Sequence, residues 1–454
     1  MNLKNKFKKA YIITVDMGYG HQRAVYPLHD IAENVEGLSM NGHGIINANK
    51  YGGIPKSDQR RWGGGRKIYE TISRMKHLPV VGKWIFGIMD HLQRIEPFYP
   101  ARDLSRATMQ VKQLYRMMRR GWGKHLISML NDREHLPYIT SFFTTAFFAE
   151  YHGYKGDVYC ICTDTDISRA WCPLVPQKSR INYLVPNRRV KERLELYGVR
   201  AEKIFITGFP LPKENIGSNL KILKQSLSKR VVHLDPGGRY RHKYRTTIER
   251  FLGNKFCDTK CEINHPLTIT FAVGGAGAQR ELGAEIAKSL HNYINKNKVH
   301  LNLVAGVKND VYLYYEKVLK NMGLLKKRNI SIIYAETKFD YFRKFNQALN
   351  STDVLWTKPS ELSFYAGLGI PIIMAPAIGS QEDFNRQWLT SIGAGVPQED
   401  PKYTNEWLFD WLESGWLAQA AMEGFLDAPR NGAYHIEEVV LKGKRSEIED
   451  MHLL

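Results

Sequence analysis

The chain has 454 residues, 43% of them apolar and 24% charged, and carries a formal net charge of +20 at pH 7. That length exceeds what one hydrophobic core normally supports, so two domains are predicted, and the apolar and charged fractions are those of an ordinary folded protein. No stretch reaches the roughly 18 apolar residues of a membrane-spanning helix, because the most apolar segment, 78–89, is broken by Pro79, Gly82, Lys83 and Gly87.

The basic start runs directly into a strand pattern at Ala10–Val15 without a small-residue cleavage site, which predicts a cytoplasmic chain. Asp16-Met-Gly-Tyr-Gly-His21 follows, leading into a helical stretch. A strand, a glycine turn and a helix start bring a ligand to the carboxyl end of a parallel sheet. Gly18 and Gly20 would let backbone approach that ligand, and His21 would face it; a His that merely satisfies a helix start fits the same pattern.

Residues 40–135 break the strand-and-helix alternation. They mix Arg60, Arg61, Arg66, Lys67, Lys76, Lys83, Arg116, Arg119, Arg120 and Lys124 with Trp62, Trp84, Phe86, Phe98, Tyr99 and Trp122. Such interleaving suits an anionic membrane surface, a nucleic-acid groove with stacking rings, or an insertion whose aromatics pack inward. Strands then follow at Tyr138–Phe143, Val158–Thr163, Asn182–Val185 and Ile204–Thr207. Cys160 and Cys162 alternate along one of them and read, with Cys172, as reduced packing residues. A boundary falls after Gly208-Phe-Pro-Leu-Pro212, where two prolines break the periodicity.

The segment Val231–His265 reads as a solvated basic excursion with one helix at Arg245–Leu252; Cys257 and Cys261 within it have no second pair at zinc-ligand spacing. The second strand set is Leu267–Val273, Leu301–Val304, Ile330–Tyr334, Val354–Trp356 and Pro371–Met374. Val273-Gly-Gly-Ala-Gly-Ala-Gln279 precedes a helical run at Glu281–Leu290, so Gly274, Gly275 and Gly277 expose amides at the positive end of a helix, a ready diphosphate site. The dinucleotide fingerprint and the P-loop signature are both absent, which argues against NAD and against a P-loop ATPase. Further on, Ser360, Glu361, Gln381, Glu382 and Asn385 sit in polar turns between apolar strands, where they could read ribose and sugar hydroxyls.

These blocks, in order, resemble the GT-B glycosyltransferase family of the monogalactosyldiacylglycerol synthases and the peptidoglycan lipid N-acetylglucosaminyltransferase. The family's glycine turn ending in His is similar to Gly18-Tyr-Gly-His21. Its Thr-Asp, Trp and Gly-x-Pro are similar to Thr163-Asp164, Trp171 and Gly208-Phe-Pro210. Its donor-domain Gly-Gly-x-Gly, Lys-bearing turn, Gly-x-Pro and Gln-Glu-x-x-Asn are similar to Gly274–Gly277, Lys358, Gly369–Pro371 and Gln381–Asn385, with Gly393-Ala-Gly395 beyond. The match covers roughly 10–25 and 158–396. One departure stands out: where the family usually places a ribose-binding Glu, this chain has Phe364, and Glu361 is the nearest substitute.

The resemblance implies an α/β chain of GT-B type, two Rossmann-like domains with parallel sheets facing across a cleft. The first spans 1–212 on the acceptor side, with the basic aromatic insertion; the second spans 213–432 and binds the nucleotide-sugar; 433–454 is expected to return to the first. The implied activity moves a sugar from a UDP-sugar to a lipid or lipid-linked acceptor at an anionic membrane surface, without a metal or a further cofactor. His21 and Asp164 would be its catalytic pair. Gly18, Gly20, Gly274, Gly275, Gly277, Gln279, Lys358, Ser360, Glu361, Gln381, Glu382 and Asn385 would hold the donor. A UDP-sugar epimerase or hydrolase on the same scaffold, and a non-catalytic basic binding protein, are the other readings the sequence permits.

Overall fold

The structure, a computed structural model, describes residues 8–39, 43–64, 95–253, 265–272, 279–377 and 380–443. The chain divides into two compact units. The first comprises 1–210, 379–384 and 431–454; the second comprises 211–378 and 385–430.

The first unit is built on a six-stranded, all-parallel sheet. Its strands are β1 (Tyr11–Thr14), β2 (Ile45–Asn47), β3 (Tyr138–Thr140), β4 (Val158–Ile161), β5 (Asn182–Val185) and β6 (Ile204–Ile206), in the order β2-β1-β3-β4-β5-β6. Every residue of β1, β3, β4 and β5 is buried, as expected of strands covered on both faces by crossover helices. The helix Gly432–Lys442 also belongs to this unit. His435 Nδ1 lies 3.0 Å from the Thr207 carbonyl, and Gly432 abuts the Phe209 carbonyl so closely that a Cβ would stand 2.2 Å from it.

The second unit carries a second all-parallel sheet of six strands. These are β7 (Leu267–Ala272), β8 (Val299–Gly306), β9 (Ile330–Tyr334), β10 (Val354–Thr357), β11 (Ile372–Met374) and β12 (Gly395–Pro397), in the order β12-β11-β10-β7-β8-β9. The chain builds outward from β7 to β9, returns past β7, and builds outward again from β10 to β12. This is the Rossmann order. The protein is therefore α/β, with two Rossmann-like units.

Ten strands match those read from the sequence; β2 and β12 are additional. Each has only three residues, too short for a period to register, and β12 holds two residue types that discourage strands, Gly395 and Pro397. The segment 231–265 also differs from the solvated excursion expected of it. Its first residues end the helix Lys221–His233, in which Arg230, Val231 and Val232 are buried, and Tyr240 is buried in the helix Arg239–Lys243. The helix Arg245–Leu252 stands where the sequence placed it, whereas Cys257 and Cys261 lie outside the described residues.

The aromatics of the basic insertion divide. Trp62 and Trp122 are core residues, in edge contact at 4.9 Å and both packed on Phe148. Phe98 lies beneath the guanidinium of Arg189, 4.0 Å from its ring centre, and Tyr99 is exposed. Trp84 and Phe86 fall outside the described residues.

Candidate active site

Each sheet has a point where its connections part in opposite directions, and ligands of open α/β sheets settle at the carboxyl side of that point. In the first unit it lies between β1 and β3. The loop after β1 turns at Gly18, whose φ of +105° suits glycine, and the helix Gly20–Val25 begins two residues later. His21 Nδ1 then stands 2.8 Å from the Ser141 carbonyl oxygen, in the loop after β3. Ser141 Oγ in turn donates to the His21 carbonyl at 2.6 Å. Since a carbonyl only accepts, Nδ1 carries the proton in the neutral ring, and Nε2 keeps its lone pair.

The surroundings of His21 are aromatic. Phe142 makes an edge contact at 4.7 Å, and Trp171 lies 6.4 Å away between ring centres. Phe143 bridges to Trp171 at 5.3 Å. Trp171 is buried, whereas Phe142 and Phe143 are half-buried.

Asp164 follows β4 on the same carboxyl side of the sheet and is half-buried, with the Thr163 hydroxyl 3.5 Å from its Oδ2. Its neighbour Asp166 has a different task. It is buried and bidentate with Arg193, at 2.8 Å to both Nε and Nη2. The Ile167 amide donates to it at 2.9 Å, and Arg193 reaches on to the Glu96 carbonyl at 2.8 Å. Two aspartates two positions apart thus separate into a half-exposed carboxylate and a structural anchor.

In the second unit the parting lies between β7 and β10. The glycine turn with Gly274, Gly275 and Gly277 is outside the described residues. Gln279, which ends it, adopts φ +68° and sends its side-chain amide 3.1 Å to the Pro376 carbonyl, in the loop after β11. The helix Arg280–Ser289 starts directly after it.

Lys358 and Ser360 occupy the turn after β10, both half-buried, and Glu361 opens the short 3-10 helix Glu361–Leu368. Gln381 and Glu382 lie in the first turn of the helix Ser380–Ser391, in the segment 379–384 that groups with the first unit. Asn385, one turn on, is fully buried and donates to the Pro359 carbonyl at 3.4 Å, bracing the β10 turn. Phe364 is buried against Trp388, 5.3 Å between ring centres.

In the first unit the structure joins His21 to Ser141, a pairing that no sequence pattern pointed to. Its signal was faint: a serine in a run read as strand to Phe143, whereas β3 ends at Thr140.

No protein-family model matches the chain, and no curated protein does. Among solved structures it is similar to the UDP complex of MnaA from S. aureus, at 11% identity and a TM-score of 0.48 over 96% of both chains. It is similar to the UDP-GlcNAc 2-epimerase of Neisseria meningitidis bound to UDP-GlcNAc, at 11% identity and 0.45 over 96% of this chain and 100% of that one. A third likeness is to MurG of Acinetobacter baumannii, at 11% identity and 0.42 over 95% and 99%. At these identities and scores the likenesses decide nothing about chemistry.

Proposed function

We propose that the protein is a glycosyltransferase of GT-B type that moves a sugar from a UDP-sugar to a hydroxyl of a lipid or lipid-linked acceptor. The observation that carries this reading is the His21 Nδ1 to Ser141 carbonyl contact at the parting of the first sheet. It holds an imidazole with Nε2 as a proton acceptor at the place where such sheets bind ligands. His21 Nε2 takes the acceptor hydroxyl proton as the oxygen attacks the anomeric carbon; the sugar–phosphate bond breaks and UDP leaves. Asp164 supports the charge on the imidazolium. In the second unit the helix Arg280–Ser289 offers the developing diphosphate charge its amide end. Gln279, Lys358, Ser360 and Glu361 hold the donor, joined by Gln381, Glu382 and Asn385, and Phe364 leaves ribose recognition to groups other than a carboxylate at that position.

The acceptor and the membrane are part of the same proposal. The helix Met109–Arg119 buries Val111, Leu114 and Met118 and turns Lys112, Arg116 and Arg119 outward beside the exposed Met109. This cationic face suits anionic headgroups, and no described helix is long and apolar enough to cross a membrane.

The test is a nucleotide panel followed by turnover. A ligand at about 100 times its Kd adds roughly 2.7 kcal/mol, a shift of several degrees in melting temperature. Stabilisation by UDP or UDP-sugars over GDP, TDP and NAD is expected, with UDP released only when acceptor lipid is added. UDP-sugar consumed without acceptor would replace transfer by epimerisation or hydrolysis. Indifference to every uridine nucleotide would overturn the donor reading altogether.

A further inference from the structure

The amino-terminal end of the second sheet, opposite the edge where a nucleotide would bind, gathers three side chains with no part in the proposed chemistry. His233 is the last residue of the helix Lys221–His233, His265 precedes β7 by two residues, and Asp353 directly precedes β10. One ligand atom from each lies within 4.8 Å of the others, the single such group among the described residues. His233 Nδ1 is 2.8 Å from Asp353 Oδ2, and His265 Nδ1 is 3.9 Å from the same oxygen. The two imidazoles meet edge to face at 4.8 Å.

From this geometry we infer that His233, His265 and Asp353 form a binding site for a first-row transition-metal dication, zinc being the natural occupant. Two imidazoles and one carboxylate are a borderline-soft donor set, which favours zinc and its neighbours over magnesium and calcium.

Asp353 is buried and held in place. The Thr268 amide donates to its Oδ2 at 2.8 Å, and its own amide donates back to the Thr268 carbonyl at 2.8 Å. His265 has room to move: its side chain is 32% exposed, and its Nδ1 contacts the Pro266 carbonyl at 2.9 Å and the Thr268 hydroxyl at 3.4 Å. Ligand atoms around tetrahedral zinc stand roughly 3–3.5 Å apart, so a swing of this ring closes the set, and water completes the coordination.

A nearby cation opposes the ion. Arg230, a turn earlier on the same helix, is fully buried and donates to the carbonyls of Thr352, Leu368 and Gly369; burial pushes its guanidinium down to about 10. Two features offset that repulsion: the Asp353 carboxylate, and the carbonyl end of the helix itself, where cations are favoured. The bound ion would tie that helix end to β7 and β10, the two strands whose opposite ends carry the nucleotide turns.

The test uses the full chain stripped of metal by chelator and titrated with zinc chloride, followed by calorimetry and thermal melting. Saturable binding of one zinc per chain, a melting temperature raised by several degrees, and no response to magnesium chloride are expected. His265→Ala should lower zinc affinity at least tenfold while melting near the wild type in chelator. Absence of saturable binding, or unchanged affinity in His265→Ala, would overturn the site. If that variant fails to fold, cobalt chloride added to the wild-type chain decides: intense visible absorption marks a tetrahedral protein site, and the weak bands of hydrated cobalt dismiss it.

Discussion

His21 and Ser141 hold each other in both directions, the imidazole Nδ1 at 2.8 Å from the Ser141 carbonyl and the Ser141 hydroxyl at 2.6 Å from the His21 carbonyl. The two residues are 120 positions apart in sequence; His21 stands in the helix that follows β1, and Ser141 in the loop after its parallel neighbour β3. Their pairing links the two segments at the parting of the first sheet and fixes which ring nitrogen can take a proton.

The backbone half of this arrangement is separable from the side-chain half. On the proposed transfer, His21→Ala should lower UDP-sugar turnover by about 10²–10⁴-fold, with little change in nucleotide affinity. Ser141→Ala keeps the carbonyl that orients the ring and loses only the hydroxyl bond. It should cost about 1 kcal/mol of stability and less than tenfold in turnover. Steady-state kinetics beside thermal melts of both variants check this; full activity in His21→Ala would remove the imidazole from the reaction.

Asp166 and Arg193 make a buried pair with two bonds of 2.8 Å. Removing Asp166 leaves the buried Arg193 charge uncompensated, a loss of about 3–5 kcal/mol, and removing Arg193 leaves Asp166 with Arg189 alone, 3.6 Å away and partly exposed. Asp166→Ala and Arg193→Met should each be strongly destabilised, whereas the double variant should recover part of the loss, because no lone charge remains. Asp164→Asn, at a half-exposed position, should leave the unfolding midpoint almost unmoved and act on turnover instead. Denaturant melts of the four variants separate these roles.

Acid should weaken the fold through two histidines. Burial holds His152 and His300 below the usual histidine value of 6.5. Their neutral forms are favoured in the native state, so the unfolded chain binds protons first as pH falls. The stability they preserve is complete above about pH 6.5 and is lost as pH drops through their lower native values. Urea melts between pH 7.5 and 5 should show this decline, and His300→Asn should flatten it. A curve unchanged by that substitution would take His300 out of the account.

The thiols of Cys160, Cys162 and Cys172 are buried, and burial pushes all three up, Cys172 to about 12. Thiolate is the reactive form, so these three should resist alkylation in the native protein and react on unfolding. Mass spectrometry of iodoacetamide-treated protein, with and without denaturant, measures it; native labelling at Cys160 would mean that the sheet opens locally.

Phe364 fills the space against Trp388. Phe364→Ala should cost about 3–5 kcal/mol. Phe364→Glu should destabilise as well, since a carboxylate buried against Trp388 loses its hydration, and it should not tighten binding of UDP. A tighter UDP complex in that variant would show that the side chain can reach the nucleotide.

Much of this architecture was legible in the sequence, because strands buried on both faces are written as unbroken apolar runs. Tyr11–Ile13 and Val158–Ile161 announce themselves that way, Leu267–Ala272 is marked instead by its β-branched and aromatic residues, and glycine turns mark where such strands hand over to helices. Composition and order thus determined an α/β chain with two sets of strands and named the turns to watch. The sequence could not show β2 and β12, whose three residues leave no period to read. Nor could it separate Asp164 from Asp166, since the same residue type two places apart becomes half-exposed or buried according to whether Arg193 arrives beside it. Tertiary structure alone decided that His21 meets Ser141, that Asn385 braces a turn from within, and that His233, His265 and Asp353 converge. Each depends on residues brought together by strand order, and a hydrogen bond or a ligand set needs positions within a few ångströms, which local sequence patterns do not encode.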